Sequence, residues 1–234
     1  MDGQIKAVVF DYDDTLADTS MAKDEAFRRV AKVLASELNG SVVPDELISE
    51  IKRVSEEMNR NTVYDRAIWW YEIGRSRGFE VSKTLALRAT MAYWNSFKRT
   101  TVPFPDAIPL LQDLKVRGYL LGMVTDTDGW PGIKRWRLSF SPVIDLLEVV
   151  VVSGEDTKRT KPDPYPFRLC AEKLGVEPSQ TVFVGDKPYT DVKGSKLAGM
   201  KAVLVSRRDW GETMKADYVV ENLGEVLRLI ETVH

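Results

Sequence analysis

Asp11 and Asp13 stand just beyond a short apolar run, Ile5, Ala7, Val8, Val9 and Phe10, in the segment Asp-Tyr-Asp-Asp-Thr from 11 to 15. The run predicts a buried strand, and the aspartates fall where that strand gives way to a loop. Residues two apart on an extended segment point the same way. Like charges held that close repel unless a cation or a shared proton stabilises them. The pair therefore points to a metal, to a pair of acid/base groups, or to both. Three further polar clusters follow predicted strands. Thr125 and Asp126 come after Tyr119 to Val124, Lys161 lies beyond the valine-rich run Glu148 to Ser153, and Asp186, with Asp191 after it, follows Thr181 to Val184. Open α/β sheets place their sites at the carboxyl ends of strands. Taken singly, each cluster has an ordinary reading: Gly185-Asp186 as a turn, Thr157 to Lys161 as a solvated basic loop, Thr125-Asp126 as a helix cap.

The histidine content narrows the chemistry. The one histidine is His234, the final residue, where chain ends usually fray. This argues against a Ser-His-Asp or Cys-His mechanism and against a histidine-built zinc site. Catalysis would then rest on carboxylates, hydroxyls and amines, and a metal site made of carboxylates is a hard-oxygen site suited to Mg²⁺. With 33 Lys and Arg against 35 Asp and Glu, the net charge of −2 gives no basic field for nucleic acid or membrane. No apolar stretch approaches the roughly 20 residues that span a bilayer, and the N-terminus lacks a secretory apolar region. The single cysteine, Cys170, cannot form an internal disulfide, which reads as a reducing, cytoplasmic location.

Elements that would position these groups can be read from periodicity. After the first strand comes a block without a convincing strand. Its first helix carries Ala26, Phe27, Val30, Val33, Leu34 and Leu38 and stops at Asn39-Gly40. A second opens near Pro44, and a third holds Tyr64, Ile68 and Tyr71 and stops at Gly78. A fourth has Ser82 as its N-cap. From Val102-Pro103-Phe104-Pro105 the rhythm changes to alternating short strands and helices, with Asp106 capping the first helix, which indicates a parallel α/β sheet. The expected organisation is an α/β core of residues 1–17 and 101–234, interrupted by an all-helical insertion at 18–100. The insertion leaves directly after the aspartates, as a lid would.

The order and spacing of the four clusters resemble the haloacid dehalogenase (HAD) superfamily, whose members are dominated by aspartate-nucleophile phosphatases. FDYDDTL is similar to its first motif, MVTD to its second, the lysine of TKPDP to its third and GDKPYTD to its fourth. The resemblance covers the whole core, implies a Rossmann-like parallel sheet, and places the insertion where the superfamily's helical C1 cap lies. It implies that Asp11 is the nucleophile, forming an aspartyl-phosphate, and that Asp13 moves the proton. Mg²⁺ would be held by the Asp11 carboxylate, the Asp13 backbone carbonyl and Asp186, with Asp191 in support. Thr125, Asp126 and Lys161 would form the phosphate-binding side. Two departures stand out: Asp14, where many members have glycine, and Lys187-Pro188 in the fourth motif, where small residues are commoner.

The resemblance implies a Mg²⁺-dependent phosphatase of a small phosphorylated metabolite. Its alternatives are a phosphomutase, a 2-haloacid dehalogenase and a catalytically silent metal-binding protein. Asp13 disfavours the dehalogenase branch, and Thr15 favours phosphatase over mutase. In the insertion Trp69, Trp70, Tyr71, Tyr93 and Trp94 are expected mainly as core. Trp69 and Trp70, about 100° apart on a helix, should not serve one purpose. Arg60, Arg66 and Arg75 are candidate anion contacts, and Trp130 is expected to pack in a core, with a place at the entrance as the alternative.

Overall fold

A computed structural model describes residues 4–36, 44–210 and 215–232. Eight strands and nine α-helices are defined among them. In chain order they are β1 (Ala7–Phe10), β2 (Ala17–Asp18), α1 (Ser20–Ser36), α2 (Pro44–Arg60), α3 (Arg66–Arg77), α4 (Lys83–Thr100), β3 (Val102–Pro103), α5 (Ala107–Val116) and β4 (Leu120–Asp126). Then come α6 (Ile133–Leu138), β5 (Val149–Ser153), α7 (Tyr165–Leu174), β6 (Thr181–Gly185), α8 (Lys193–Ala198), β7 (Lys201–Val205), β8 (Tyr218–Val220) and α9 (Gly224–Thr232). The chain divides into two compact units: Met1–Asp18, Val102–Asp126 and Ser141–His234 form the first, Thr19–Thr101 and Thr127–Phe140 the second.

The first unit is built on a six-stranded sheet in the order β5-β4-β1-β6-β7-β8, every neighbouring pair parallel. The expected parallel α/β core is the one seen. Its inner strands are short and largely apolar because both of their faces are covered. Ala7 and Val9 of β1 pack with Phe167, Cys170, Ala171 and Leu174 of α7, whereas Val8 and Phe10 alternate to the other face and are equally buried. Each such valine withdrawn from water contributes about 1.5–3 kcal/mol. The consequence for the site is that β1 lies in the interior of the sheet, between β4 and β6, so three strand ends converge on Asp11. A small antiparallel ribbon, Ala17 with Pro103 and Asp18 with Val102, was not foreseen from the sequence.

The second unit is helical. Its core gathers Phe27 of α1, Trp69, Trp70 and Ile73 of α3, and Tyr93, Trp94 and Phe97 of α4. Trp69 and Trp70 are both fully buried, so the core expectation holds for each and the expectation that the two could not serve one purpose does not. α3 packs against α2 on one side and α4 on another, so adjacent residues both find cover. Each indole is satisfied there: Trp69 Nε1 donates to Val63 O at 2.8 Å and Trp70 Nε1 to Thr90 Oγ1 at 2.9 Å. The stripe expected to face inward, Ile68 and Tyr71, is 46% and 42% exposed. The periodicity had the right period and the wrong phase.

Residues 127–140 group with the helical unit although the sequence reading gave them to the core. Side-chain chemistry accounts for this. Trp130 Nε1 donates to Asp65 Oδ1 at 3.0 Å, Arg137 lies 4.9 Å above both the Trp94 and Phe97 rings, and Lys98 lies over Trp136 and Phe140. Asp128 is buried with Arg137 at 2.6 Å and Lys134 at 3.0 Å.

Helix ends follow local rules. Ser82 accepts from Leu85 N, and Gly78 and Gly175 end their helices at positive φ. Asp106 departs from its expected role: it makes no side-chain cap bond and instead accepts from Leu223 N at 2.9 Å and from Arg207 at 3.3 Å. The expected positions of Leu38, Asn39-Gly40 and His234 lie outside the described residues. Among the described residues no helix is long and apolar enough to cross a membrane.

Candidate active site

β1 ends at Phe10, and the backbone N–H of Asp11 makes one last bond to Val184 O of β6, at 2.9 Å. The chain then turns sharply. The carbonyl of Tyr12 accepts from Thr15, Leu16 and Ala17, and Asp14 takes φ +67. That left-handed conformation is one glycine enters freely and aspartate tolerates at modest cost, which explains why glycine suits this place. The turn also means that Asp13 is not on an extended segment with Asp11. The three carboxylates whose oxygens lie within 4.8 Å of one another are Asp11, Asp186 and Asp191. Asp13 is half-buried beside them in sequence, its backbone bridged to Ala17.

Lys161 ties the cluster together. Its ammonium donates to Asp11 Oδ1 at 2.8 Å, Asp191 Oδ1 at 2.7 Å and Val124 O at 3.4 Å, and the residue is 1% exposed. Three acceptors match its three protons. Burial works against the charge, but the carboxylates of Asp11, Asp191 and Asp126 outweigh it and raise the lysine pKa. Asp126, grouped with the phosphate contacts by the resemblance, has a different place. Its Oδ1 accepts from Ser153 Oγ at 2.5 Å and from the Lys161 backbone N–H at 2.9 Å. A carboxylate so engaged fixes the lysine segment. Thr125 is buried in β4, opposite Val152 of β5.

β6 delivers Asp186, whose Oδ1 accepts from Thr15 Oγ1 at 3.2 Å. Asp191 follows in a π-helical turn, Pro188–Val192, that precedes α8, a geometry that recurs at functional sites. The turn is closed by Lys187 N–H donating to Asp191 Oδ2 at 3.0 Å. Gly185 makes the approach possible: a Cβ there would sit 2.5 Å from Asp191 Oδ2 and 2.6 Å from its Cβ. Thr15, Ser153 and Lys187 therefore belong to the site. The resemblance uses Thr15 only to separate phosphatase from mutase and marks Lys187 as a bulky cation in a motif of small residues, while Ser153 reads in the sequence as the end of a strand. Among the arginines considered as anion contacts, Arg75 is bonded to Glu72, and Arg66 is buried with its guanidinium 3.7 Å over the Trp69 ring.

The electrostatics fit a divalent metal. Burial, against the pull of Lys161 and with Asp191 adding to it, raises the Asp11 carboxyl above its ordinary value. Burial likewise pushes Asp186 up to about 7, Lys187 opposing and Asp191, Asp14 and Asp11 adding. Asp11 Oδ2 is buried without a hydrogen-bond partner. Three anionic oxygens with one left unbonded form the hard-oxygen donor set that a divalent cation takes. Raised acids also have a signature in stability. A carboxyl whose folded-state pKa is above its unfolded value of 3.8 stabilises fully below that pH and loses the contribution as pH rises through about 7. In chelator, the thermal midpoint of the protein is expected to fall from about pH 5 to about pH 7.5. Calorimetry should find a shallower fall for Asp186→Asn; parallel curves would refute the assignment.

A sequence profile described as haloacid dehalogenase-like hydrolase matches residues 5–199. The chain belongs to this family. HAD relatives support the match along its length. Glyceraldehyde 3-phosphate phosphatase of Methanopyrus kandleri is 32% identical over 206 residues, 87% of this chain and 84% of that protein. Phosphoglycolate phosphatase of Rhodospirillum rubrum is 31% identical over 211 residues, 86% of this chain and 79% of that protein. The crystal structure of a HAD phosphatase from Thermococcus onnurineus aligns with a TM-score of 0.71 at 30% identity, covering 98% of this chain and 99% of that one. The expected hydrolase class and HAD fold are borne out, and a divalent metal is general in this family.

Proposed function

We propose that this protein is a Mg²⁺-dependent phosphatase of small phosphomonoesters, with Asp11 as nucleophile and Asp13 as general acid and base. The observation that carries the reading is the state of Asp11. It is buried at the end of an interior strand, one oxygen held by the Lys161 ammonium and the other left without a hydrogen bond. A carboxylate meeting a phosphate dianion faces repulsion, and a fixed ammonium beside it offsets that repulsion and stabilises charge on the phosphoryl oxygens. Asp11 attacks phosphorus as the bond from phosphorus to the leaving oxygen breaks, and Asp13 gives that oxygen its proton. Asp13 then takes a proton from water, which attacks the aspartyl-phosphate, releases inorganic phosphate and regenerates the Asp11 carboxylate. Asp11 and Asp186 would hold the Mg²⁺, with the Asp13 carbonyl as a further ligand and Asp191 in support. When bound, the ion supplies Lewis-acid stabilisation of a phosphoryl oxygen. Thr125 would contact the phosphoryl group from the end of β4.

The named relatives act on glyceraldehyde 3-phosphate and phosphoglycolate. Both are short phosphorylated metabolites, which supports a substrate of that size here. A cytoplasmic location fits the single buried thiol, Cys170, which burial pushes up to about 12 and keeps unreactive.

Hydrolysis of p-nitrophenyl phosphate tests the reading. Turnover is expected with Mg²⁺, to fall by about 100-fold or more in excess EDTA, and to return when Mg²⁺ is restored. Turnover indifferent to chelation, or none with any divalent ion across a panel of short phosphorylated acids and sugars, would sink it.

A further inference from the structure

Lys187 reaches back onto the carboxylates it follows in sequence. Its Nζ lies 3.9 Å from Asp11 Oδ2 and 4.0 Å from Asp186 Oδ1, while its backbone N–H holds Asp191. One residue thus touches all three carboxylates of the cluster. Both ammonium contacts are too long for hydrogen bonds. One of them falls on Asp11 Oδ2, the buried oxygen that has no hydrogen-bond partner. The two lysines differ in kind. Lys161 is sealed in, its side chain 1% exposed, with three acceptors in reach. The Lys187 side chain is 33% exposed, and a lysine carries its ammonium on a flexible four-carbon stem.

We propose that Lys187 is a built-in competitor of the divalent cation. In the metal-free protein its ammonium balances the Asp11–Asp186 pair, and it withdraws toward solvent when the cation binds. The inference rests on the metal reading above. The physical argument is that one pair of carboxylate oxygens cannot be shared closely by an ammonium and a divalent ion, whose charges repel strongly at such distances. A lysine here makes the metal-free cluster tolerable and, by the same interaction, weakens the hold on the metal. Its consequence is a metal site that loads according to the free cation concentration instead of remaining saturated.

Calorimetric titration of the chelator-stripped protein with MgCl₂ tests this. Lys187→Met and Lys187→Gln are expected to bind Mg²⁺ about tenfold more tightly than the parent, and Lys187→Arg within about twofold of it. In EDTA both neutral variants should unfold at a lower temperature than the parent, and saturating Mg²⁺ should close or reverse that gap. Neutral variants that bind Mg²⁺ with the parent's affinity would overturn the proposal while leaving the metal site standing. Failure of the parent and both neutral variants to bind Mg²⁺ would overturn the metal reading itself, and the competitor with it.

Discussion

Asp11→Asn is expected to lower kcat for p-nitrophenyl phosphate by about four orders of magnitude or more, without unfolding the protein. Asparagine has the shape of aspartate, and its amide oxygen can still accept from the Lys161 ammonium that Asp11 Oδ1 meets at 2.8 Å. It has no anionic oxygen to attack phosphorus, and it removes one donor from the carboxylate group. The fold has little to lose. Asp11 is 2% exposed and burial already raises its carboxyl pKa, so its charge is carried at a cost that the amide does not incur. Loss of turnover with unchanged thermal unfolding is the expected pairing. A variant that keeps turnover within tenfold of the parent would remove Asp11 from the chemistry and leave only a structural role.

Lys161→Met should have the opposite character, with a large loss of stability accompanying the loss of activity. The ammonium is the shared partner of Asp11 and Asp191, both almost fully buried. Removing one member of a buried ion cluster strands the others, at about 3–5 kcal/mol. Methionine fills most of the volume, so the loss reports charge and not a cavity. The readout has to follow the right unit. Five of the six tryptophans (Trp69, Trp70, Trp94, Trp130 and Trp136) lie in the helical unit, so indole fluorescence would largely miss the event. Hydrogen exchange at β1, β4 and β6, measured in EDTA across a urea series, reports the sheet directly. A change below about 1 kcal/mol would show that the carboxylates do not depend on this lysine for their burial.

Much of this was legible in the sequence, and the limits have physical causes. The strands of the sheet were readable because short apolar runs ended at glycines and aspartates, and the four polar clusters fell at their ends. Gly78, Gly175 and Ser82 acted as read because cap and stop signals are local, settled within a turn of chain. Asp106 failed as a cap for the converse reason: its carboxylate is taken by Leu223 N and Arg207, about a hundred residues away. Ile68 and Tyr71 shared a periodic face with the correct spacing. Which face of a helix is buried depends on neighbours that the periodicity does not name. In the site, the contact of Lys161 with Asp11 spans 150 residues. The resemblance supplied both residues, but the bracing of the Lys161 backbone by Asp126, and the Thr15 bond to Asp186, depend on distances that spacing cannot encode.

Gly185 bears on how this site tolerates mutation. It has no side chain, takes no part in the chemistry, and is the last residue of the strand that delivers Asp186. Any side chain there would push into Asp191, which is bonded to the Lys161 ammonium and to the Lys187 backbone. The residue with the least functionality is therefore among the least replaceable. The carboxylates around it admit an exchange, aspartate to asparagine, that keeps the shape. For glycine there is no smaller neighbour to fall back on, and a change at a residue that carries no reacting atom would be felt by two lysines and a carboxylate at once.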